Sequence, residues 1–460
     1  MKQGDGSSFH PEMEPSPCSI SGWNEEPSPV SQKPHLRHGP GFGIIFLSDL
    51  HNTEGGVKPK VERAKASNNA DNRLFTIKKY KEKKIEYYDY SLLAVIIILI
   101  SFGLVMLYST SGYLAEVQYS DDMYYFKRQG MFSIASIFVA IIVSRFDYHI
   151  LEKVHGLLYI AAAVLMMLVL SPTLGVSSHG ARRWLQIGPI NFQPAEIAKI
   201  AVIVSLSCAI IAMGKKVRTL KGCMFLAGLG GLQAFIAYVF TDNLSTAIII
   251  FGITVGMIFI AHPGFKWFII LAIVVIALAA LVIMYLNSTM ENSTNFRLQR
   301  ILVWLHPENY ADGDGYQTLQ ALYAIGSGGL LGRGLGNSIQ KLGSVPEAQN
   351  DFIFSIICEE LGIVGGVIVL LFFAYLLYRL FFIAQNAPDM FGSLLVSGIF
   401  IHISLQVILN IAVVLALLPN TGVTLPFISY GGTSVLLLMA EMGLALGVAR
   451  KIELQAPALL

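Results

Sequence analysis

WFIILAIVVIALAALVIMYL, residues 267–286, runs for twenty positions without one charged side chain. At about 1.5 Å of rise per residue, a helix of that length crosses the ~30 Å hydrocarbon core of a bilayer. Nine further apolar segments accompany it, at residues 90–111, 129–144, 155–172, 195–213, 224–240, 244–261, 352–383, 394–418 and 434–448. The second and tenth in chain order are short and need their flanks to cross, while the eighth is long enough to tilt. The fold class expected is therefore an all-α polytopic membrane protein of about ten transmembrane helices. A large extracytoplasmic loop, residues 287–351, separates the seventh helix from the eighth.

Composition agrees. The chain has 460 residues, of which 54% are hydrophobic and only 13% charged, against about 25% charged in a typical soluble domain. The charges are also unevenly spread: 25 of the 62 fall in the first 90 residues, and the other 370 residues hold 37. Such a chain cannot cover a soluble surface, which excludes a soluble enzyme, a secreted disulfide scaffold and a nucleic-acid binder. The four cysteines have no metal-ligand spacing and read as small buried hydrophobes.

Residues 1–76, rich in Pro, Ser, Gly, Asn and charge, read as a mostly disordered tail. Residues 77–89 are a basic juxtamembrane segment with five lysines, suited to anionic membrane lipids at a cytoplasmic flank. Ten crossings place both termini on one side. Lys and Arg favour that side fifteen to eight, so both termini, including the short tail at 451–460, are expected in the cytoplasm. No internal repeat is evident, which argues against transporter-style inverted symmetry.

A loop of 65 residues is far longer than a connector. Within it NFRLQRILVWLHPE, residues 295–308, places Phe296, Ile301, Leu302 and Leu305 at helical spacing, as in an amphipathic helix lying at the interface. GYQTLQALYAIGSGGLLGRGLGNS, residues 315–338, ends in repeated glycines that suit a chain turning back at the membrane.

A charge inside a span costs about 2.5–3.5 kcal/mol on insertion scales, so each survivor needs a reason. Glu196 and Lys199 share one face of the fourth span and can neutralise each other; the pair either locks helices together or floors an extracytoplasmic cavity. Glu359 and Glu360 are adjacent, so they point apart, one toward a structural partner and the other toward a wet cavity. Glu441 stands alone, with a structural hydrogen bond as its expected role. Asp351 precedes the eighth span, where it is either an ordinary N-cap or a carboxylate at the membrane surface. Glu347 and, from other loops, Arg182, Arg183, Arg297, Arg300 and Arg333 are its candidate neighbours. A carboxylate facing arginines there could serve chemistry on an anionic lipid head group, the cations holding phosphate and the carboxylate taking a hydroxyl proton. Which arginines converge is not readable from the chain.

Three motifs now stand in order: GARRWLQIGPINFQPAEIAK (180–199), VPEAQNDFIFSIICEELG (345–362) and LPNTGVTLPFISYGGTS (418–434), with Gln406 and Asn410 in the ninth span. Together they resemble the SEDS family, which includes FtsW, RodA and SpoVE, over residues 90–450. The double arginine of GARRW and the EELG run are most similar to the FtsW/SpoVE branch. The resemblance implies a peptidoglycan glycosyltransferase that polymerises lipid II into β-1,4 glycan outside the cytoplasmic membrane. It would work beside a class B penicillin-binding protein and other division or sporulation proteins. By the same resemblance Asp351 is the catalytic carboxylate. Trp184 and the Glu196–Lys199 pair also match family positions; with the candidate neighbours Arg182, Arg183, Arg297, Arg300 and Glu347 they make up the expected substrate-binding set, and no cofactor is assigned, a divalent cation (Mg or Mn) being the alternative. Two positions depart from the family pattern: Ala195 replaces the usual Ser, and TDNLSTA (241–247) places Asn243 where QPDLGTA has Asp. The competing functions are a lipid II flippase or transporter, which would not require a carboxylate at the outer surface, and a division scaffold without catalysis.

Overall fold

The computed structural model describes residues 88–178, 181–188, 190–262, 264–289, 296–310, 315–343 and 345–452. The tail and nearly all of the basic segment before the first span lie outside the described residues. Twelve helices and one small sheet make up the described chain: α1 Tyr90–Tyr119, α2 Tyr124–Arg145, α3 Ile150–Leu168, β1 Gly175–Ser178, β2 Ala181–Ile187, β3 Ile190–Phe192, α4 Pro194–Met213, α5 Leu220–Phe240, α6 Leu244–Ala261, α7 Phe265–Thr289, α8 Phe296–Leu305, α9 Tyr316–Gly328, α10 Ile353–Asn386, α11 Met390–Val414 and α12 Thr433–Ala449. All ten expected spans coincide with helices. Nine of them are long and apolar enough to cross a membrane, and α12 is a shorter apolar helix. The polypeptide is a multi-pass membrane protein.

Helices dominate because hydrocarbon offers the backbone no hydrogen-bond partner, so each span must bond internally. Small residues then let spans approach. A Cβ on Gly443 of α12 would lie 2.7 Å from the Ala140 carbonyl oxygen of α2, so these two helices meet backbone to backbone. The innermost layer is α4 and α11, with Val202, Ile203, Leu395 and Ile399 buried between them and their neighbours. At the other extreme α7, the segment that opens the sequence argument, exposes Trp267, Ile273, Ile276 and Met284 on its outer surface.

Ion pairs staple the bundle. Asp89 caps α1 through the Leu92 N–H at 2.9 Å and pairs with Arg379 of α10 at 2.7 Å. Glu441 is not alone: His402 of α11 lies 2.8 Å from it, both side chains buried.

The long loop is largely structured. α8 buries Leu302 and Val303, and its Trp304 indole donates to the Ala416 carbonyl at 2.7 Å. α9 then runs alongside the start of α10, and the glycine-rich stretch after it turns back against that helix. α10 itself is broken. Gly362 has φ 72° and ψ −176°, a conformation open to glycine alone at low cost. The backbone groups released by the break are taken by the returning chain. Ile363 and Val364 N–H donate to the Gly329 and Leu330 carbonyls at 3.0 and 3.2 Å, and Arg333 and Gly334 N–H to those of Glu359 and Glu360 at 3.0 and 2.9 Å.

The same segment captures both glutamates, which corrects the expectation that one of them faces water. Glu359 accepts from Ser338 Oγ at 2.5 Å and the Ile339 N–H at 3.0 Å. Glu360 meets Lys341 Nζ at 2.8 Å and accepts from Ser109 Oγ of α1 at 2.7 Å. Both side chains are fully buried. Replacing Lys341 by Met strands the Glu360 carboxylate, at a cost of about 3–5 kcal/mol for a broken buried pair. Thermal unfolding in detergent should show a clear fall in midpoint for Lys341→Met. Lys127→Met, whose partner Asp121 is well exposed, should leave the midpoint unchanged.

Candidate active site

One end of the bundle opens into a cavity of about 660 Å³. Its walls come from α2, the sheet, the starts of α4 and α6, α9, residues 347–351, α11 and residues 420–434.

The floor is built by α4. Pro194 occupies the first helical turn, and Glu196 and Lys199 follow one turn apart with Nζ and Oε1 at 2.8 Å, their side chains only 10% and 2% exposed. Lys199 also reaches Gln406 Oε1 at 3.4 Å, and Gln406 Nε2 donates to the Thr424 carbonyl at 3.1 Å. The pair thus does both things the sequence allowed: it lines the cavity, and it ties α4 to α11 and to the segment before α12.

Asp351 stands in the wall, 8% exposed. Phe352 is the N-cap of α10 and there is no side-chain cap bond, so the N-cap reading of Asp351 fails. Its backbone is fixed instead by Asn410, whose Nδ2 donates to the Asp351 carbonyl at 2.8 Å and to that of Val423 at 2.6 Å. Beside the carboxylate the chain turns through Gly422 at φ 65°, where a Cβ would sit 3.6 Å from Asp351 Oδ2. Glu347 lines the same wall and accepts from Asn350 Nδ2.

The sheet explains which of two neighbouring arginines enters. Strands β1, β2 and β3 are antiparallel in that order. Val176 pairs with Trp184 and Ser177 with Arg182, so the register slips at Arg183. A bulge of this kind re-aims a side chain, and here Arg183 and Trp184, adjacent in sequence, both line the cavity. Arg183 donates from Nη2 to the Asp242 carbonyl at 3.0 Å. Arg182 is exposed and directed elsewhere, toward the Leu170 carbonyl at 3.4 Å. Arg333 is likewise engaged away from the cavity, 3.6 Å from Glu359. Arg297 and Arg300 are carried by α8, and their side chains lie outside the described residues.

Sequence reasoning missed Arg128 on α2 and Tyr430, both cavity residues. Burial pushes the Tyr430 hydroxyl above its ordinary value, and the Arg128 guanidinium pulls it partly back. The available signal was a second arginine-bearing segment, FKRQG, at the start of a span. Among the described residues no group of three or more His, Cys, Asp or Glu is placed to hold a metal. A divalent cation at this site would have to take most of its oxygen ligands from substrate phosphate and water.

The model of the "Cell cycle protein" family of FtsW, RodA and SpoVE matches residues 90–453. The chain belongs to this family. It is 37% identical over 363 residues to stage V sporulation protein E of Bacillus subtilis, a match covering 79% of this chain and 97% of that one. The probable peptidoglycan glycosyltransferase FtsW of Trichlorobacter lovleyi is 34% identical over 375 residues, covering 81% and 96%. Among solved structures, Thermus thermophilus RodA superposes with a TM-score of 0.56 at 26% identity, covering 80% of this chain and 98% of that one. A chain from a peptidoglycan synthase complex, solved for its coordination of polymerization and crosslinking, gives 0.63 at 26% identity, covering 79% and 98%.

Asn243, where the family pattern has Asp, is a helix cap in this chain. Its Oδ1 accepts from the Thr246 N–H at 3.0 Å and so caps α6, and the residue lines the cavity. Asp242 presents its carbonyl to Arg183 and is not a lining residue. Because Asn and Asp are both strong caps, Asn243→Asp should unfold at the same temperature as the parent. Asn243→Ala should lose about 1 kcal/mol of stability, measurable as a lowered thermal midpoint.

Proposed function

We propose that this protein is a peptidoglycan glycosyltransferase that polymerises lipid II at the outer face of the cytoplasmic membrane, in cell division or sporulation. The observation that carries the reading is a carboxylate, Asp351, held in the wall of a cavity with Arg183, Trp184 and a neutralised Glu196–Lys199 floor. Relatives named as glycosyltransferase and as sporulation protein support it.

In the proposed reaction, the 4-hydroxyl of an acceptor disaccharide attacks the anomeric carbon of the lipid-linked donor, and undecaprenyl pyrophosphate departs with inversion to a β-1,4 bond. Asp351 takes the hydroxyl proton as the bond forms. Arg183 offers a planar fork of donors to the departing pyrophosphate. Trp184 offers a flat apolar face to a sugar ring. The Glu196–Lys199 pair adds no net charge, yet supplies polar groups at the base of the site. Glu347, in the same wall as Asp351, stands beside the acceptor. Each carbon-bound step uses only the two lipid-linked reactants.

The excess of Lys and Arg at the opposite end supports cytoplasmic termini and an outward-facing cavity. A similar chain belongs to a synthase complex that polymerises and crosslinks, which supports a class B penicillin-binding protein as partner; septal placement in a dividing cell is part of the same proposal.

Asp351→Asn should lower polymerisation of purified lipid II by about 10²–10⁴-fold while the protein still inserts in the membrane, since the backbone carbonyl that Asn410 holds is kept in the variant. Wild-type polymer yield from that variant would refute the role. Labelled lipid II crossing reconstituted vesicles without polymer formation would instead establish a flippase.

A further inference from the structure

The reaction proposed above joins two molecules that each carry a pyrophosphate on a polyprenyl anchor. The site must therefore accommodate two such anions at once. Among the described residues, three cationic side chains line the cavity: Arg128, Arg183 and Lys199. Lys199 is neutralised by Glu196 at 2.8 Å and lies at the floor. The other two are arginines, and they come from separate walls. Arg183 sits on the bulged strand β2 and reaches the turn between α5 and α6. Arg128 lies one turn into α2, a helix that packs on α1 and α12.

Arg128 is half-buried, and among the described residues it makes no ion pair. Its protein partner is a phenol, Tyr124 Oη, 3.3 Å from Nη1. Tyr430, whose hydroxyl it influences, lies at the same wall, and the Tyr430 N–H is fixed on the Gln349 carbonyl at 2.9 Å, two residues from Asp351. A guanidinium held inside a cavity without a carboxylate leaves most of its five donors for an anion. The neighbouring tyrosines form an aromatic rim, with Tyr119 and Tyr124 stacked at 3.9 Å and Tyr125 edge-on to Tyr430 at 5.0 Å. Amphipathic rings of this kind suit the level where a lipid's head group meets its tail.

We propose that Arg128 is a second pyrophosphate-binding residue, holding the phosphates of one lipid-linked substrate while Arg183 holds those of the other. This rests on the glycosyltransferase reading, but its test does not need turnover. Purified full-length protein in nanodiscs is titrated with undecaprenyl pyrophosphate and, separately, with undecaprenol. Arg128→Gln should weaken binding of the pyrophosphate about 10- to 100-fold, the loss expected for a charge-assisted hydrogen bond, and should leave undecaprenol binding unchanged. Arg128→Lys should recover part of the loss, which a purely structural role would not give, and Lys127→Gln next door should match the parent. In polymerisation assays the Arg128→Gln defect should fall mainly on KM. Equal affinity of Arg128→Gln and parent for undecaprenyl pyrophosphate overturns the proposal. A parent that binds the lipid but makes no polymer overturns the glycosyltransferase reading and leaves the assignment of Arg128 standing.

Discussion

The break in α10 is the constraint on which the active end of the molecule depends. A span interrupted at Gly362 releases backbone donors and acceptors at a depth where water is scarce, and hydrocarbon cannot satisfy them. The chain between α9 and α10 is shaped to do so. Gly328 and Gly332 come so close to Cys358 and Glu360 that a Cβ on either would lie 2.0 or 2.2 Å from a carbonyl oxygen of α10. Once that stretch is docked, its side chains take the two glutamates, and Ser109 brings α1 into the same knot. Residues 345–351 then leave from a fixed point, which is why Glu347 and Asp351 reach the cavity from a segment that is neither helix nor strand.

A second economy governs charge. Ionisable groups inside the bundle are nearly all spent on one another: Asp89 with Arg379, His402 with Glu441, Lys341 with Glu360, Glu196 with Lys199. Each such pair is weak evidence for stability, because desolvating two ions costs about what their attraction returns. Their value lies in specifying which helices meet. Arg128 in the cavity wall differs in kind, since its partner is the Tyr124 phenol and not a carboxylate.

Length and hydropathy made the ten spans legible, because each is set by a local property of about twenty residues. The amphipathic α8 and the turning glycines after α9 were legible for the same reason. The site was legible in part. Asp351, Trp184, Glu196 and Lys199 stand out as motif residues, and all four line the cavity. The choice between Arg182 and Arg183 was not readable, because it depends on a register slip in a three-stranded sheet inside an otherwise helical chain. Glu359 and Glu360 misled for a related reason. Adjacent helical residues do point apart, but a re-entrant segment can wrap far enough to meet both. Arg128 escaped because nothing local distinguishes an arginine at a span's end that snorkels to water from one that faces a cavity.

The Asn at position 243 shows how the two demands on this cavity are separable. Capping α6 needs an acceptor oxygen aimed at the Thr246 N–H, and an amide supplies that as well as a carboxylate. A carboxylate would also add a negative charge to the wall close to Arg183, which already meets the Asp242 carbonyl. The amide keeps the helix start without that charge. Charge in the floor is handled differently: Glu196 stays, and Lys199 one turn on cancels it.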